Sequence, residues 1–328
     1  MKRLEMKGIM ILMLSAILFL TGTVQMSWGA GYPERPISLI VPFPPGGAGD
    51  LGARALASLL EGVLKQTIVV ENKPGGANLI GGNLVASAKP DGYVLGYLSV
   101  VPAIPETFVY FQKPPYSSKD LTPICPVTNV PGALIVKADS PWKDIKDFVE
   151  YARKNPRVKV GTRGPGSIPQ LMLLGIQKAE NVIFTDVPFP GDAPITTAVL
   201  GGHILAGISS FGTVRPQVEA KNLRVLLLYT KKRLEAAPDI PCVSDVGYDP
   251  PVFPFFGVFG PKGMSAEIVS KIESAVKKVV DDARFQERIT KTLGFEVIYE
   301  DSESFKKTLK KYQTEIEGFY KELGYWKE

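Results

Sequence analysis

Two glycine-rich segments stand where a ligand could approach the backbone closely. The first, residues 47–52, reads Gly-Ala-Gly-Asp-Leu-Gly and matches the G-x-G-x-x-G pattern of dinucleotide-binding loops. It lies between a predicted strand and a predicted helix, and Glu71 follows near the position where such sites place an acidic residue. However, Pro44 and Pro45 form a stiff elbow that moves the glycines away from the strand end. We therefore expect neither a bound dinucleotide nor any other cofactor.

The same segment suits a small anion. A helix that starts near Asp50 points unpaired N–H groups and the positive end of its dipole at the loop, where a carboxylate can bind. The alternative is a plain strand–helix connection with Asp50 as the N-cap. A second loop, residues 161–167, adds two hydroxyl groups and the guanidinium of Arg163, which can hold a carboxylate through two bonds. Two such loops predict a small anionic ligand held between two lobes.

Side chains that could catalyse a reaction are scarce. The one histidine, His203, follows two glycines in a predicted turn, and the chain has two cysteines, Cys125 and Cys242. The sequence contains no G-x-S-x-G nucleophile elbow, and its composition argues against a Cys/His zinc site. We therefore predict neither catalytic residues nor a metal. In an oxidising compartment the two cysteines could form a disulfide, or they could remain two buried thiols.

Alternating strands and helices must position these loops. The pattern predicts helices at 50–61 and 78–88, and strands at 37–43, 67–71, 93–98, 133–137, 157–161, 203–208 and 224–229. Such alternation indicates parallel strands with helices on their faces. Ser265 and Ser302 are predicted to cap two C-terminal helices whose apolar stripes form core. The expected architecture is two α/β lobes, with the chain crossing between them more than once.

The N-terminus has the pattern of a secretory signal peptide. A basic start at residues 2–7 precedes an apolar run, Gly8–Leu20, and small residues favour cleavage between Gly29 and Ala30. The alternative is an uncleaved membrane anchor, but the run is shorter than the ~20 residues that span a bilayer. The signal peptide, residues 1–29, predicts export to the periplasm. The formal charge of +5 is dispersed along the chain, which argues against a nucleic-acid partner.

Several ordered blocks carry a recognisable pattern. They are Tyr-Pro-Glu-Arg-Pro-Ile at 32–37, Val-Pro-Phe-Pro-Pro-Gly-Gly at 41–47, Val-Glu-Asn-Lys-Pro-Gly-Gly at 70–76, Lys-Pro-Asp-Gly-Tyr at 89–93 and Pro-Asp-Ile-Pro at 238–241. Together they resemble the Bug proteins, the TctC-like solute-binding proteins of tripartite tricarboxylate transporters. The resemblance extends over residues 32–325.

This resemblance implies a two-lobed α/β fold, the type II periplasmic-binding-protein fold of Venus-flytrap form, with a mixed sheet in each lobe. Residues 30–128 and 254–328 would form the first lobe, and residues 129–253 the second. Such a receptor would capture a small carboxylate-bearing solute between its lobes. It would deliver the solute to the membrane permease subunits of a tripartite tricarboxylate transporter, and it would act as a monomer in the periplasm.

The resemblance also implies which residues bind the ligand. The first lobe would contribute Pro45, Gly46, Gly47, Ala48, Asp50, Asn78, Leu79, Ile80 and Ser99. The second lobe would contribute Thr162, Arg163, Gly164 and Ser167, with a far wall formed by Pro190, Gly191 and Asp192 near Phe211.

The far wall departs from the family pattern. Phe189 and Pro190 replace a usual Tyr-Lys pair, and Asp192 stands where a glycine is common. A carboxylate at position 192 would repel an anionic ligand or pair with an amine on it, and Arg163 would offset it if both line one wall. Phe189 and Phe211 would suit a ligand with an apolar or aromatic body. These changes leave the identity of the solute open.

Other functions would have different signatures. A ligand sensor for a membrane signalling partner would have nearly the same sequence as a transport receptor. An exported α/β enzyme would require a nucleophile or base that the sequence does not show. A dehydrogenase would require the dinucleotide that the proline elbow argues against.

Overall fold

The first of two sheets has six strands. The structure, a computed structural model, describes residues 31–325, so the predicted signal peptide lies outside the described residues. The strands are β1 (Ile37–Val41), β2 (Ile68–Asn72), β3 (Val94–Ser99), β4 (Leu121–Asn129), β10 (Phe255–Pro261) and β11 (Glu296–Val297). Their order is β11-β4-β10-β3-β1-β2, with β1 parallel to β2 and β3, and β10 antiparallel to β3 and β4.

The second sheet has five strands. They are β5 (Gly132–Lys137), β6 (Val158–Thr162), β7 (Phe184–Pro188), β8 (Ala206–Ser210) and β9 (Leu223–Tyr229), in the order β7-β6-β8-β5-β9. Strand β6 is parallel to β7 and β8, whereas β5 is antiparallel to β8 and β9, so this sheet is also mixed. We call each sheet, with the helices packed on it, a lobe. The chain enters the second lobe between β4 and β5 and returns between β9 and β10.

Helices connect the strands in both lobes. They are α1 (Ala48–Leu64), α2 (Leu79–Ala86), α3 (Val100–Ala103), α4 (Ile145–Lys154), α5 (Ile168–Glu180), α6 (Asp192–Leu200), α7 (Phe211–Glu219), α8 (Ala266–Val280), α9 (Ala283–Glu287) and α10 (Ser302–Glu322). None of the helices within residues 31–325 combines the length and the apolar character needed to cross a membrane. The contacts described below lie within the compact unit that begins at Pro33.

Local hydrogen bonds confirm one predicted cap and correct another. The Ser265 side chain accepts a hydrogen bond from the Ile268 backbone N–H at the start of α8, as predicted. The prediction that Ser302 caps α10 was wrong. The cap is Asp301, which accepts from the Ser304 N–H, while the Ser302 hydroxyl donates to the Pro123 carbonyl oxygen. A carboxylate one residue earlier reaches the free N–H groups of the first turn.

Strand β8 lies later in the chain than predicted. The apolar pattern indicated 203–208, but the strand is Ala206–Ser210. The difference arises because His203 still belongs to the turn that ends α6, where its N–H donates to the Ala198 carbonyl oxygen. Two serines, Ser209 and Ser210, therefore end the strand.

The two cysteines are buried free thiols. Cys125 lies on β4 and Cys242 follows the Pro-flanked loop after β9; both are buried and neither forms a disulfide. Burial raises the pKa of the Cys125 thiol well above its usual range, with a further contribution from Glu273. The structure thus has two buried thiols, one of the two alternatives that the sequence left open.

Candidate functional site

A cavity of about 40 Å³, large enough for a few water molecules, lies between the two lobes. Ala48 and Phe256 line it from the first lobe, and Met172 and Ser209 line it from the second. Val130, in the crossing between β4 and β5, and Pro254, in the crossing between β9 and β10, line it as well. The cavity therefore lies where both sheets and both crossings of the chain meet.

Five helices begin at this cavity. Its lining includes residues at the start of α1 (Ala48), α3 (Val100), α5 (Ile168) and α6 (Asp192), and the residue that precedes α7 (Ser210). The first N–H groups of a helix have no partner within the helix, and the helix dipole places partial positive charge at this end. The convergence of these ends from both lobes makes the cavity favourable for an anion.

Four polar side chains of the second lobe add to this environment. Arg163 Nε lies 4.0 Å from Asp192 Oδ1, and the Ser210 hydroxyl donates to Asp192 Oδ2. The Ser209 side chain lies beside them and is almost completely buried. The lining thus combines one cation and one anion of the protein, so their charges largely offset each other.

Apolar groups form the remaining wall. Phe256 stacks on Tyr97 with ring centres 5.2 Å apart, and its edge meets Phe43. Gly49 permits this packing, because a Cβ there would lie 2.8 Å from both Phe43 and Phe256. Met172 of the second lobe adds a further apolar side chain to the lining. A ligand would therefore contact both a polar end and an apolar end.

Asp50 supports the loop before α1 but does not cap the helix. The N-cap is Gly47, and Asp50 lies inside the first turn, so the prediction that Asp50 caps the helix was wrong. Its carboxylate accepts hydrogen bonds from the Gly46 N–H (2.9 Å), Arg54 Nε (3.0 Å) and Asn72 Nδ2 (2.9 Å). Burial raises the pKa of Asp50, but these bonds and the Arg54 charge outweigh burial and lower it below 3.8. Asp50 thus ties the loop to α1 and β2.

Asp186 supports the loop formed by residues 161–167. Its two oxygens accept hydrogen bonds from the Thr162 hydroxyl and from Gln170 Nε2. Those side chains in turn accept from the Gly164 and Gly166 backbone N–H groups. Burial raises the pKa of Asp186, and the two hydrogen bonds oppose that effect. The carboxylate thus fixes the loop that carries Arg163.

The predicted ligand-binding residues occupy three kinds of position. Those that line the cavity are Ala48, Ser99, Arg163 and Asp192. Those that are buried but do not line it are Asp50, Leu79, Thr162, Gly164 and Phe211. Those that are partly or fully exposed and do not line it are Pro45, Gly46, Gly47, Asn78, Ile80, Ser167, Pro190 and Gly191. Ligand contact by each of them stays a prediction.

The sequence reasoning missed several lining residues. Ser209 and Ser210 were hidden because β8 was placed too early. Ligands often bind at the carboxyl ends of strands, so polar residues between a strand and the next helix are candidates for a site. Applied to a correctly placed β8, this rule would have found both serines. Phe255 and Phe256 come from β10, more than 200 residues after Ala48 in the chain, and no local pattern linked them to the glycine-rich loops.

Comparison with known proteins places the chain in a family. A family model described as the tripartite tricarboxylate transporter family receptor, TctC, matches residues 53–324. The chain belongs to this family. A UPF0065 protein of Cupriavidus necator is 32% identical over 277 residues, which cover 84% of this chain and 83% of that protein. Protein BugT of Bordetella pertussis is 31% identical over 252 residues, with 73% and 74% covered.

Solved structures agree with this assignment. The periplasmic binding protein BugD is 29% identical with a TM-score of 0.79, covering 90% of this chain and 100% of its own. A Rhodopseudomonas palustris protein with adipate is 26% identical with a TM-score of 0.83, covering 90% and 99%. MatC from the same organism, with bound malate, is 25% identical with a TM-score of 0.78, covering 88% and 99%. The predicted resemblance and two-lobed periplasmic-binding-protein fold are confirmed, and the TctC family consists of solute-binding receptors, not of enzymes.

Proposed function

We propose that this TctC-family receptor captures a small carboxylate-bearing solute between its lobes. The observation that carries the proposal is the convergence of five helix starts and Arg163 on one cavity. Helix N-termini favour a carboxylate, and here they come from both lobes, while Arg163 of the second lobe adds a charged hydrogen-bond donor. A solute that contacts both sets would stabilise the closed arrangement of the lobes.

The named ligands of related proteins support the same class of solute. Two related proteins of R. palustris are described with a ligand: MatC with malate, and the second protein with adipate. Malate and adipate are dicarboxylates of four and six carbons. The cavity here, about 40 Å³, has room for a few water molecules. The proposal therefore includes a more open arrangement of the lobes in which the solute enters, with the two crossings after β4 and β9 as the connections that would bend.

Delivery to a transporter is the second part of the proposal. The predicted signal peptide and the periplasmic relatives support a location in the periplasm. There the receptor would act as a monomer with residues 30–128 and 254–328 in one lobe and 129–253 in the other. Its partners would be the membrane permease subunits of a tripartite tricarboxylate transporter, as the description of its family suggests.

A binding screen tests the capture of carboxylates. The chain from Ala30 would be screened by thermal shift against mono-, di- and tricarboxylates, with amines and sugars of similar size as controls. A ligand at 100 times its Kd adds about 2.7 kcal/mol to the free energy of unfolding, which raises the melting temperature clearly. Stabilisation by the uncharged and cationic controls alone would contradict the proposal.

Replacement of Arg163 tests the role of its guanidinium. We expect Arg163→Ala to weaken the best carboxylate at least about tenfold, because a partly buried charge-assisted bond is lost. Isothermal titration measures the affinity. Arg284→Ala, at an exposed arginine paired with Asp282, is the matched control and should leave the affinity unchanged. Equal affinities for the two variants would remove Arg163 from the site.

A further inference from the structure

Arg163 and Asp192 face each other in the cavity without forming a hydrogen bond. The 4.0 Å between Arg163 Nε and Asp192 Oδ1 exceeds the length of a direct N–H···O bond. Both atoms are shielded from solvent, and neither has a hydrogen-bond partner among residues 31–325. Buried polar atoms without partners are costly to a fold, so such a pair marks a place for one more polar group.

The two atoms restrict the chemistry of that group. Arg163 Nε can only donate a hydrogen bond, and an ionised Asp192 can only accept one. A hydroxyl can accept from the first and donate to the second, and a carboxamide can do so with its oxygen and nitrogen. A carboxylate would bond to Arg163 but be repelled by Asp192. An ammonium would bond to Asp192 but be repelled by Arg163. The group that satisfies both residues is therefore uncharged.

Asp192 is held in a position that suits this role. The Ser210 hydroxyl occupies Oδ2, which leaves Oδ1 as the available acceptor, and only a tenth of the Asp192 side chain is exposed. Asp192 is also the first residue of α6, where a negative side chain is favourable. The buried Ser209 hydroxyl, also without a partner within the described part of the chain, lines the same cavity and offers a further contact.

We propose that the Arg163–Asp192 pair selects a carboxylate ligand whose second polar group is uncharged, a carboxamide or a hydroxyl. This inference rests on the proposed function, because the carboxylate of the ligand is taken to face the start of α1 at Ala48. The uncharged group then lies between Arg163 and Asp192. A diacid leaves one carboxylate against Asp192, and an amino acid of the same length leaves its ammonium against Arg163.

Matched ligands test the selection. One set is succinate, its monoamide succinamate and 4-aminobutanoate; the other is adipate, its monoamide and 6-aminohexanoate. Within each set the length is nearly constant and the terminal group changes from carboxylate to carboxamide to ammonium. We expect the monoamide of at least one set to bind at least about tenfold more tightly than its two analogues in isothermal titration, because only it leaves no buried group unpaired.

Two variants change the charge of the pair in opposite directions. Asp192→Asn leaves the Arg163 charge and should shift the amide-to-diacid affinity ratio about tenfold towards the diacid. Arg163→Gln leaves the Asp192 charge and should shift the ratio of the amide affinity to the amino-acid affinity by about tenfold towards the amino acid. An asparagine oxygen can still accept from Ser210, and melting temperatures would verify that both variants fold. Asp281→Asn, at an exposed pair with Lys277, is the control and should not change either ratio.

The outcomes separate this inference from the proposed function. Affinity ratios that are the same in the unmodified protein and in both variants would overturn the selection by the pair, and so would a failure of all six compounds to bind. Either result would leave the proposed function intact if another carboxylate stabilises the protein in the screen. Failure of every carboxylate in that screen would count against the proposed function itself.

Discussion

Asp186 determines how the loop of residues 161–167 is held, although it does not line the cavity. Four hydrogen bonds connect Asp186 to the loop. The Thr162 hydroxyl and Gln170 Nε2 donate to its carboxylate. The Gly164 N–H donates to the Thr162 hydroxyl oxygen, and the Gly166 N–H donates to Gln170 Oε1. The network is complete only if Asp186 accepts at both oxygens, which a carboxylate does and an amide cannot.

We expect Asp186→Asn to lower the free energy of unfolding by about 1–3 kcal/mol. If the NH2 group of asparagine faces Gln170 Nε2, two donors meet, and flipping the Gln170 amide moves the conflict to the Gly166 N–H. If it faces Thr162, the hydroxyl can accept from it but loses the acceptor for its own hydrogen. Urea unfolding measures the change. Asp139→Asn is the matched control, because Asp139 is exposed and pairs only loosely with Lys137. Equal free energies for the two variants would contradict the role of Asp186.

Asp50 makes a contribution to stability that depends on pH. Its pKa is lower in the folded chain than the usual 3.8, because hydrogen bonds from Arg54, Gly46 and Asn72 and the charge of Arg54 outweigh burial. A carboxyl with a depressed pKa stabilises the fold above its unfolded pKa, and that stability is lost as the pH falls through the folded value. We therefore expect Asp50→Asn to be less stable than the unmodified protein at neutral pH, with the difference shrinking below pH 3.8.

Urea midpoints measured from neutral to acidic pH test this expectation. The control is Asp281→Asn, at the exposed end of α8, where loss of an i,i+4 pair with Lys277 costs about 0.5 kcal/mol or less. A difference between Asp50→Asn and the unmodified protein that stays constant down to the lowest pH would show that the carboxylate charge does not matter. The loop would then depend on packing alone.

At the scale of elements, the sequence was most informative where a local pattern sets the structure. Six strands, β1, β2, β3, β5, β6 and β9, lie within about two residues of their predicted positions. Each is a short run rich in Val, Ile or Leu that is bounded by glycine, proline or polar residues. Helix α1 begins two residues before its predicted start. The prediction took Asp50 as the N-cap, but Gly47 has that position, and the Asp50 carboxylate instead accepts a hydrogen bond from the Gly46 N–H.

The site was only partly predictable because it depends on non-local pairing. Arg163 and Asp192 are charged residues in two predicted loops, and the sequence analysis considered that both could line one wall of the ligand site. The contribution of Phe255 and Phe256 depends on β10 inserting between β3 and β4, which is a matter of sheet topology and not of local pattern. The orientation of Ser209 and Ser210 depends on where β8 ends, and the strand boundary is set by the hydrogen bonds that finish α6.

At the scale of the whole molecule, the lobes touch on two flanks of the cavity. On one flank α7 of the second lobe reaches the segment before β11 of the first, where Arg215 Nη1 donates to the Lys291 carbonyl oxygen at 2.8 Å. On the other flank Lys178 of α5 pairs with Glu322 near the end of α10. Gly212, in the first turn of α7, lies so close to the Leu293 carbonyl oxygen that a Cβ would overlap it. The close approach of the lobes at this flank therefore requires a residue without a side chain.

Replacement of Gly212 should separate folding from closure. Alanine suits a helix at least as well as glycine, so we expect Gly212→Ala to fold with little change in its own lobe. Its Cβ would instead hold α7 away from Leu293, at a cost of about 1–3 kcal/mol in the closed arrangement. Since ligand affinity falls with the population of the competent state, carboxylate binding should weaken about 5- to 150-fold. The radius of gyration from solution scattering with ligand should also be larger than that of the unmodified protein.

Gly62→Ala is the matched control for this experiment. Gly62 lies on an exposed face of α1, and a Cβ there would meet nothing within 4 Å, so the same substitution adds a methyl group without touching the other lobe. Its affinity and its scattering should equal those of the unmodified protein. If Gly212→Ala binds as tightly as Gly62→Ala, closure does not use this flank, and the ligand would have to be enclosed by movement about the Lys178–Glu322 side. A loss of affinity with no change in scattering would instead place the effect of Gly212 on Ser210, the residue before α7, and on Asp192, which accepts the hydrogen bond of Ser210.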